Sequence, residues 1–316
     1  MTWHGAAWPH WRKGDFDRTF QGRSNQEAAM AALVNRSGRP DWSIEQDWAG
    51  YAQEEHGIWR TLFARQAKLL RHRAAPEFLD GVQRLGVAAD GIPDFRRLND
   101  VLGKATGFQI VAVPGLVPDD VFFEHLAHRR FPSTCFIRTP EQLDYLEEPD
   151  VFHDIFGHVP LLVNPVFADY MVAYGQGGLK ALKQGALEKL SRLYWYTVEF
   201  GLIATPAGLR IYGSGIVSSK GESEYCLDHQ APNRIGFDLL RIMRTRYRID
   251  AFQETYFVIG SFEQLFDATR PDFAPYYDQL AALPDLDASA VLPSDKVIHR
   301  GTGAKRRGTT RNPAAA

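Results

Sequence analysis

Residues 149–160 read Pro-Asp-Val-Phe-His-Asp-Ile-Phe-Gly-His-Val-Pro, with His153 and His158 five residues apart. On an ideal α-helix that separation is about 140° of rotation, so the two rings do not share a face as an i,i+4 pair does. The segment is therefore not the His-Glu-x-x-His of zinc peptidases, and Asp154 is not in that motif's general-base position. Both imidazoles reach one metal ion if the helix bends or ends between them. Gly157 and Pro160 supply a local reason for an end. The other reading is a pair of structural histidines, each satisfied by hydrogen bonds.

A third ligand must come from elsewhere, and Glu199 is the candidate. It is a lone carboxylate in the apolar and aromatic run Leu193-Tyr194-Trp195-Tyr196-Thr197-Val198-Glu199-Phe200-Gly201-Leu202. A buried charged Glu is costly unless a cation or hydrogen bonds compensate it. A metal held by two histidines would do so; a salt bridge from one of the Arg residues would also serve. Two His and one carboxylate form the facial triad of non-haem iron, which leaves positions open for oxygen and a cosubstrate.

The rest of the chain predicts a mainly α fold with a few short strands. Helical spacing runs from 44 to 70, follows Pro76 and Asp119, dominates from 166 to 202 and returns at 237–243. Residues 110–113, 136–138 and 209–213 read as short extended pieces, and 252–266 mixes an extended piece with a helix. The 316 residues are 45% hydrophobic and 23% charged, enough for a substantial core. Residues 1–40 read as a loosely ordered arm and 41–285 as one domain. Residues 286–316, rich in Pro and Ala and then basic, read as a disordered tail.

Composition excludes several classes. With 36 basic against 38 acidic residues, the chain lacks the basic excess of a nucleic-acid binder. No stretch approaches the roughly 20 apolar residues of a membrane span, and the N-terminus lacks the apolar core of a secretory signal. The only cysteines, Cys135 and Cys226, form neither a disulfide framework nor a ligand-like pair. The expected setting is the cytoplasm.

Longer runs make the chain recognisable. They are Val113-Pro114-Gly115-Leu116-Val117-Pro118-Asp119-Asp120-Val121-Phe122-Phe123, residues 153–160 and 194–201, Ile211-Tyr212-Gly213-Ser214-Gly215-Ile216-Val217-Ser218-Ser219, and Arg246-Tyr247-Arg248-Ile249-Asp250. Nearly continuously from about 45 to 280, the chain resembles the pterin-dependent aromatic amino acid hydroxylases, in particular their single-domain bacterial branch acting on phenylalanine. The resemblance implies that family's catalytic-domain fold. It also implies hydroxylation of L-phenylalanine to L-tyrosine with O2 and a tetrahydropterin, which supplies two electrons.

By the same resemblance His153, His158 and Glu199 hold Fe(II). Arg138 binds the substrate carboxylate, a task for which its planar fork suits better than Lys. Ser218 lies in the substrate pocket and can support a ligand histidine. Trp195 walls the substrate, with Tyr145 and Ile249 on the same pocket. Gly115, Val117, Phe122 and Tyr194 map to the pterin site, although Val117 and Phe122 also read as plain core residues. Asp154 stands where vertebrate relatives have Glu, so its pterin contact passes through water. Ile249 stands where tyrosine hydroxylases carry Asp, which argues against a hydroxylated substrate but does not separate Phe from Trp.

Two departures shape the expectation. The arm is too short for the regulatory domain of vertebrate members, and the C-terminal region, with Pro284 and Pro293, has no apolar heptad. A monomer is expected. Leu146 replaces a vertebrate Thr in the substrate loop. Three alternatives remain at this point: a tryptophan hydroxylase of the same family, a non-catalytic binding relative, and a metal-dependent hydrolase.

Overall fold

The computed structural model describes residues 39–144, 146 and 148–303. Most of the expected arm, the basic end of the tail and Tyr145 lie outside the described residues.

α1 (Gln53–Leu70) buries Trp59, Leu62, Gln66 and Leu70. The Glu55 carboxylate supports its start by accepting from the Ala52 amide at 2.7 Å. The helix begins later than the spacing predicts, because Gln46 and Trp48 bond instead to the backbone of Pro93, Phe95 and Ile92. α2 (Pro76–Leu85) opens on a proline and ends at Gly86, whose φ of 63° is the left-handed cap. α3 (Phe95–Ala105) is capped by Asp94, which accepts from the Arg96 amide.

β1 (Gln109–Val113), α4 (Asp119–Ala127) and β2 (Arg130–Thr134) follow, the two strands pairing in parallel. The strand expected at 136–138 lies upstream. The sequence Arg-Phe-Pro-Ser-Thr does not read as a strand, yet four of its five positions are buried.

His153–His158 is a π-helical segment that runs directly into a 3-10 turn, Val159–Val163. α5 (Pro165–Gln184) is capped by the Asn164 side chain. It crosses α4 so closely that a Cβ on Gly178 would lie 2.1 Å from the Phe123 ring. α6 (Leu187–Tyr194) leads into a second π segment, Trp195–Glu199.

The remaining elements are β3 (Leu202–Thr205), β4 (Gly208–Ile211), α7 (Ser214–Val217), α8 (Lys220–Asp228), β5 (Asn233–Gly236), α9 (Leu239–Arg244), β6 (Thr255–Ile259), α10 (Phe262–Thr269), α11 (Ala274–Ala281) and β7 (Val297–His299). Five strands form one sheet in the order β4-β3-β6-β5-β7. β3 pairs antiparallel with β4, β6 runs parallel to both neighbours, and β7 closes the edge antiparallel to β5. Central β6 is buried at every position, as its unbroken Thr-Tyr-Phe-Val-Ile run suits.

Two expectations need correction. Helix makes up 51% and strand 13%, a mixed α/β fold rather than a mainly α one. Residues 286–303, read as part of a disordered tail, are built into the molecule. The Leu286 amide donates to the Arg244 carbonyl at 2.7 Å, Asp295 pairs with Arg241 at 3.0 Å, and β7 joins the sheet. Isolated polar anchors hold this segment rather than an apolar run, which is why its composition misleads. Among the described residues no single helix is long and apolar enough to cross a membrane.

Candidate metal and substrate site

The two π segments resolve the histidine spacing. A π-helix bonds i to i+5, so a residue five positions on returns near the first. His153 and His158 Nε2 stand 3.1 Å apart. The helix neither ends nor breaks between them; a widened turn takes the place of the expected bend or end. On the other side of the segment Phe152 and Phe156 stack at 4.9 Å and pack edge-on against Trp59 and Phe78. That aromatic anchor turns the histidines toward Glu199. Gly157 serves close approach rather than termination: a Cβ there would meet the Ser214 carbonyl at 3.0 Å.

Glu199 ends the second π segment, 3% exposed. Its Oε1 lies 3.2 Å from His158 Nε2, and its Oε2 lies 3.7 Å from His153 Nε2. Among the described residues no arginine pairs with it, so the salt-bridge alternative falls. Ser214 Oγ has one proton for two acceptors, Oε2 at 2.8 Å and the Val198 carbonyl at 3.0 Å, while buried Oε1 faces His158 Nε2. Burial pushes the Glu199 carboxyl up, but His158 and Ser214 overcome this and hold it below its ordinary value.

Ser218 decides the tautomer of His153. Its Oγ donates to the Ser214 carbonyl at 2.8 Å, which uses its only proton. It must then accept from His153 Nδ1, 3.0 Å away. Nδ1 carries the proton, and the Nε2 lone pair faces the cluster. Burial, outweighing the opposing pull of Glu199, lowers His153 to about 4, so the ring is neutral at neutral pH.

His153, Asp154 and His158 also bring ligand-type atoms within 4.8 Å of one another. Asp154 is the weaker third donor, because its Oδ2 accepts from the Thr134 amide at 2.8 Å and the Thr134 hydroxyl at 3.0 Å. Burial, against the pull of His158 and Thr134, raises its carboxyl to about 7. The Glu199 set fits a divalent cation: its two buried carboxylate oxygens face the Nε2 atoms of His158 and His153. An all N/O set without cysteine suits iron.

Arg138 lies beside the cluster, 7% exposed. Asp150 holds its Nε at 2.8 Å and Nη2 at 2.9 Å, and also accepts from the amides of Arg138 and His153. The Nη1 donors are not used by Asp150. Sequence reasoning missed this carboxylate, although it stands three residues before the first histidine. It missed Ser214 as well, hidden in a Gly-Ser-Gly turn. Trp195 stacks on Tyr247 with ring centres 4.4 Å apart and donates to Gln253 Oε1 at 2.9 Å. Ile249 is half-buried on the same 247–253 segment and packs against the core.

Gly115, Val117, Phe122 and Asp154 line one small concavity with Thr134 and Pro149. Tyr194 is not part of that lining. It meets Phe122 edge-on at 6.0 Å and lies nearly parallel to His158 at 6.3 Å. A larger cavity, between α5, α6 and the α10–α11 connection, contains none of the expected site residues.

A sequence profile of the biopterin-dependent aromatic amino acid hydroxylases matches residues 9–279. The chain belongs to this family. The hydroxylase is 67% identical to a phenylalanine-4-hydroxylase of Ralstonia nicotianae over 277 residues, which is 88% of each chain. It is 65% identical to that of Chromobacterium violaceum over 261 residues, 83% of this chain and 88% of the relative. The crystal structure of the C. violaceum phenylalanine hydroxylase with bound oxidised Fe(III) matches with a TM-score of 0.80 at 66% identity, over 82% of this chain and 94% of that one. The cobalt-bound form of the C. violaceum enzyme gives the same score and identity. The hydroxylase thus has the family fold, iron and pterin dependence.

Proposed function

We propose that this hydroxylase converts L-phenylalanine to L-tyrosine with O2 and a tetrahydropterin, at a non-haem Fe(II) held by His153, His158 and Glu199. The observation that carries the reading is the meeting of two Nε2 atoms, 3.1 Å apart, with the Glu199 carboxylate. The phenylalanine-hydroxylating relatives at 65–67% identity favour phenylalanine over tryptophan as substrate.

Bound iron and tetrahydropterin supply oxygen activation and the two reducing electrons. The protein's own residues position and shield. Ser218 keeps the His153 proton on Nδ1, and Ser214 orients Glu199. Arg138, held at Nε and Nη2 by Asp150, offers Nη1 to the substrate carboxylate. Trp195 walls the aromatic ring, and Ile249 keeps its surroundings apolar. Gly115, Val117 and Phe122 cradle the pterin, with Asp154 and Tyr194 at its border. Tyr145 belongs to the proposed substrate loop. The reading includes a cytoplasmic monomer whose catalytic unit runs from about 41 through the β7 strand.

The test is tyrosine formation with and without Fe(II) and tetrahydropterin, alongside His153→Ala, His158→Ala and Glu199→Ala. Each substitution is expected to abolish iron-dependent turnover, because a facial triad has no spare protein ligand. Near-normal activity in any iron-supplemented variant overturns the ligand assignment. A wild-type preference for Trp or Tyr overturns the substrate.

A further inference from the structure

Glu222 lies in the first turn of α8, 4% exposed. Its Oε1 accepts from the Gln253 amide at 3.1 Å and from the Tyr256 hydroxyl. Gln253, equally buried, points its side chain the other way. Its Oε1 accepts from Trp195 Nε1 at 2.9 Å, and its Nε2 donates to the Arg248 carbonyl at 3.1 Å. An indole N–H only donates, so this contact fixes the orientation of the Gln253 amide as well as the Trp195 ring. Ile249 lies in the stretch that the amide closes. At this same end α8 starts two residues after Ser218, and Ser219 caps it by accepting from the Glu222 amide at 3.3 Å. One carboxylate oxygen thus joins β6, the 248–253 segment and the helix that starts beside the His153 support.

We propose that Glu222 is a positioning residue for the aromatic substrate, holding Gln253 and, through it, Trp195 and the Ile249 segment. The inference rests on the reading of Trp195 and Ile249 as pocket residues. Without Glu222 the buried backbone N–H of Gln253 loses its acceptor, a cost the segment relieves by moving. Other anchors on the segment are weak. Arg248 and Asp250 pair with each other at the surface, and Phe252, 39% exposed, rests only its ring on Tyr225 of α8 at 4.9 Å. Burial pushes the Glu222 carboxyl up to about 7, so a neutral amide resembles its protonated form.

The experiment uses iron-loaded full-length Glu222→Ala, Glu222→Gln and Gln253→Leu beside wild type. It reads kcat, the KM for phenylalanine and for tetrahydropterin, iron content, and the phenylalanine Kd by calorimetry. Glu222→Ala is expected to raise the phenylalanine KM and Kd about fivefold or more, as loss of one buried hydrogen bond implies. Its pterin KM and iron content should stay within about twofold, since those sites do not depend on this bond. Glu222→Gln should recover the phenylalanine KM, because its amide oxygen still accepts from both partners. Gln253→Leu should reproduce the alanine phenotype, and it decides the matter if Glu222→Ala does not fold. An unchanged phenylalanine KM, a parallel loss of substrate, pterin and iron binding, or failure of Gln to rescue each overturns the proposal. A wild type that does not hydroxylate phenylalanine overturns the functional reading and this inference with it; an active wild type with indifferent variants overturns this inference alone.

Discussion

At the scale of single residues, the position of one proton matters most. Ser218 has one hydrogen to give and gives it to the Ser214 carbonyl, which leaves His153 only one productive tautomer. Ser218→Ala should weaken iron binding by roughly 10–100-fold, the usual cost of losing such support. Competition against a chelator measures it, and unaltered affinity would mean that something else fixes the ring. Arg138→Lys removes a fork that meets Asp150 through two donors. It should lower kcat/KM for phenylalanine at least about tenfold, since a charge-assisted bond contributes roughly 1.5–3 kcal/mol. The structure adds a stability cost, because a lysine cannot fill both bonds to a fully buried Asp150. Unchanged kinetics with a lowered Tm would confine Arg138 to a structural role.

At the scale of elements, the two π segments carry the site, and Gly157 lets the first approach α7. Gly157→Ala would press a methyl onto Ser214, the residue that orients Glu199. A loss of about 1–3 kcal/mol by overpacking is expected, with weaker iron binding; thermal melts and an iron titration read the two effects. The candidate donors, His153, His158 and the lone carboxylate at Glu199, stood out in the sequence. The way they meet was not, because α-helical rotation separates positions five apart, and nothing in the residue types announces i+5 bonding. β1 and β4 followed from short apolar runs. β2 was hidden by its Pro, Ser and Thr, which are buried as part of the sheet. The partnership of Arg138 with Asp150 was invisible for another reason: its two ends lie 12 positions apart across an irregular loop.

At the scale of the whole molecule, buried carboxyls of opposite tendency set the pH range of stability. Burial raises Glu222 from 4.5 to about 7, so its contribution is intact below about pH 4.5 and lost as the pH rises through 7. Asp150 and Asp285 are held below their ordinary 3.8 despite burial, the first by Arg138 and the second chiefly by Arg192. Their contribution is present above about pH 4 and lost on further acidification. Metal-free protein should therefore lose stability both as the pH rises through 7 and as it falls below about 4. Glu222→Gln should flatten the decline toward pH 8, and a variant that keeps the full wild-type decline between pH 5 and 8 would contradict the assigned protonation. Asp285→Asn should cost about 3 kcal/mol, because it strips buried Arg192 of its two-oxygen partner; denaturant unfolding at pH 7 tests this. The same pair bears on how the chain is made. Arg192 sits in the helix that leads to Trp195 and Glu199, and Asp285 follows it by 93 positions. At a synthesis rate of about 5–20 residues per second, the arginine waits roughly 5–20 seconds for its acid. Until then only the largely exposed Glu188 answers its charge. The wall that carries Glu199 is translated before the acid that locks it, so a segment made well downstream steadies a site to which it offers no candidate ligand.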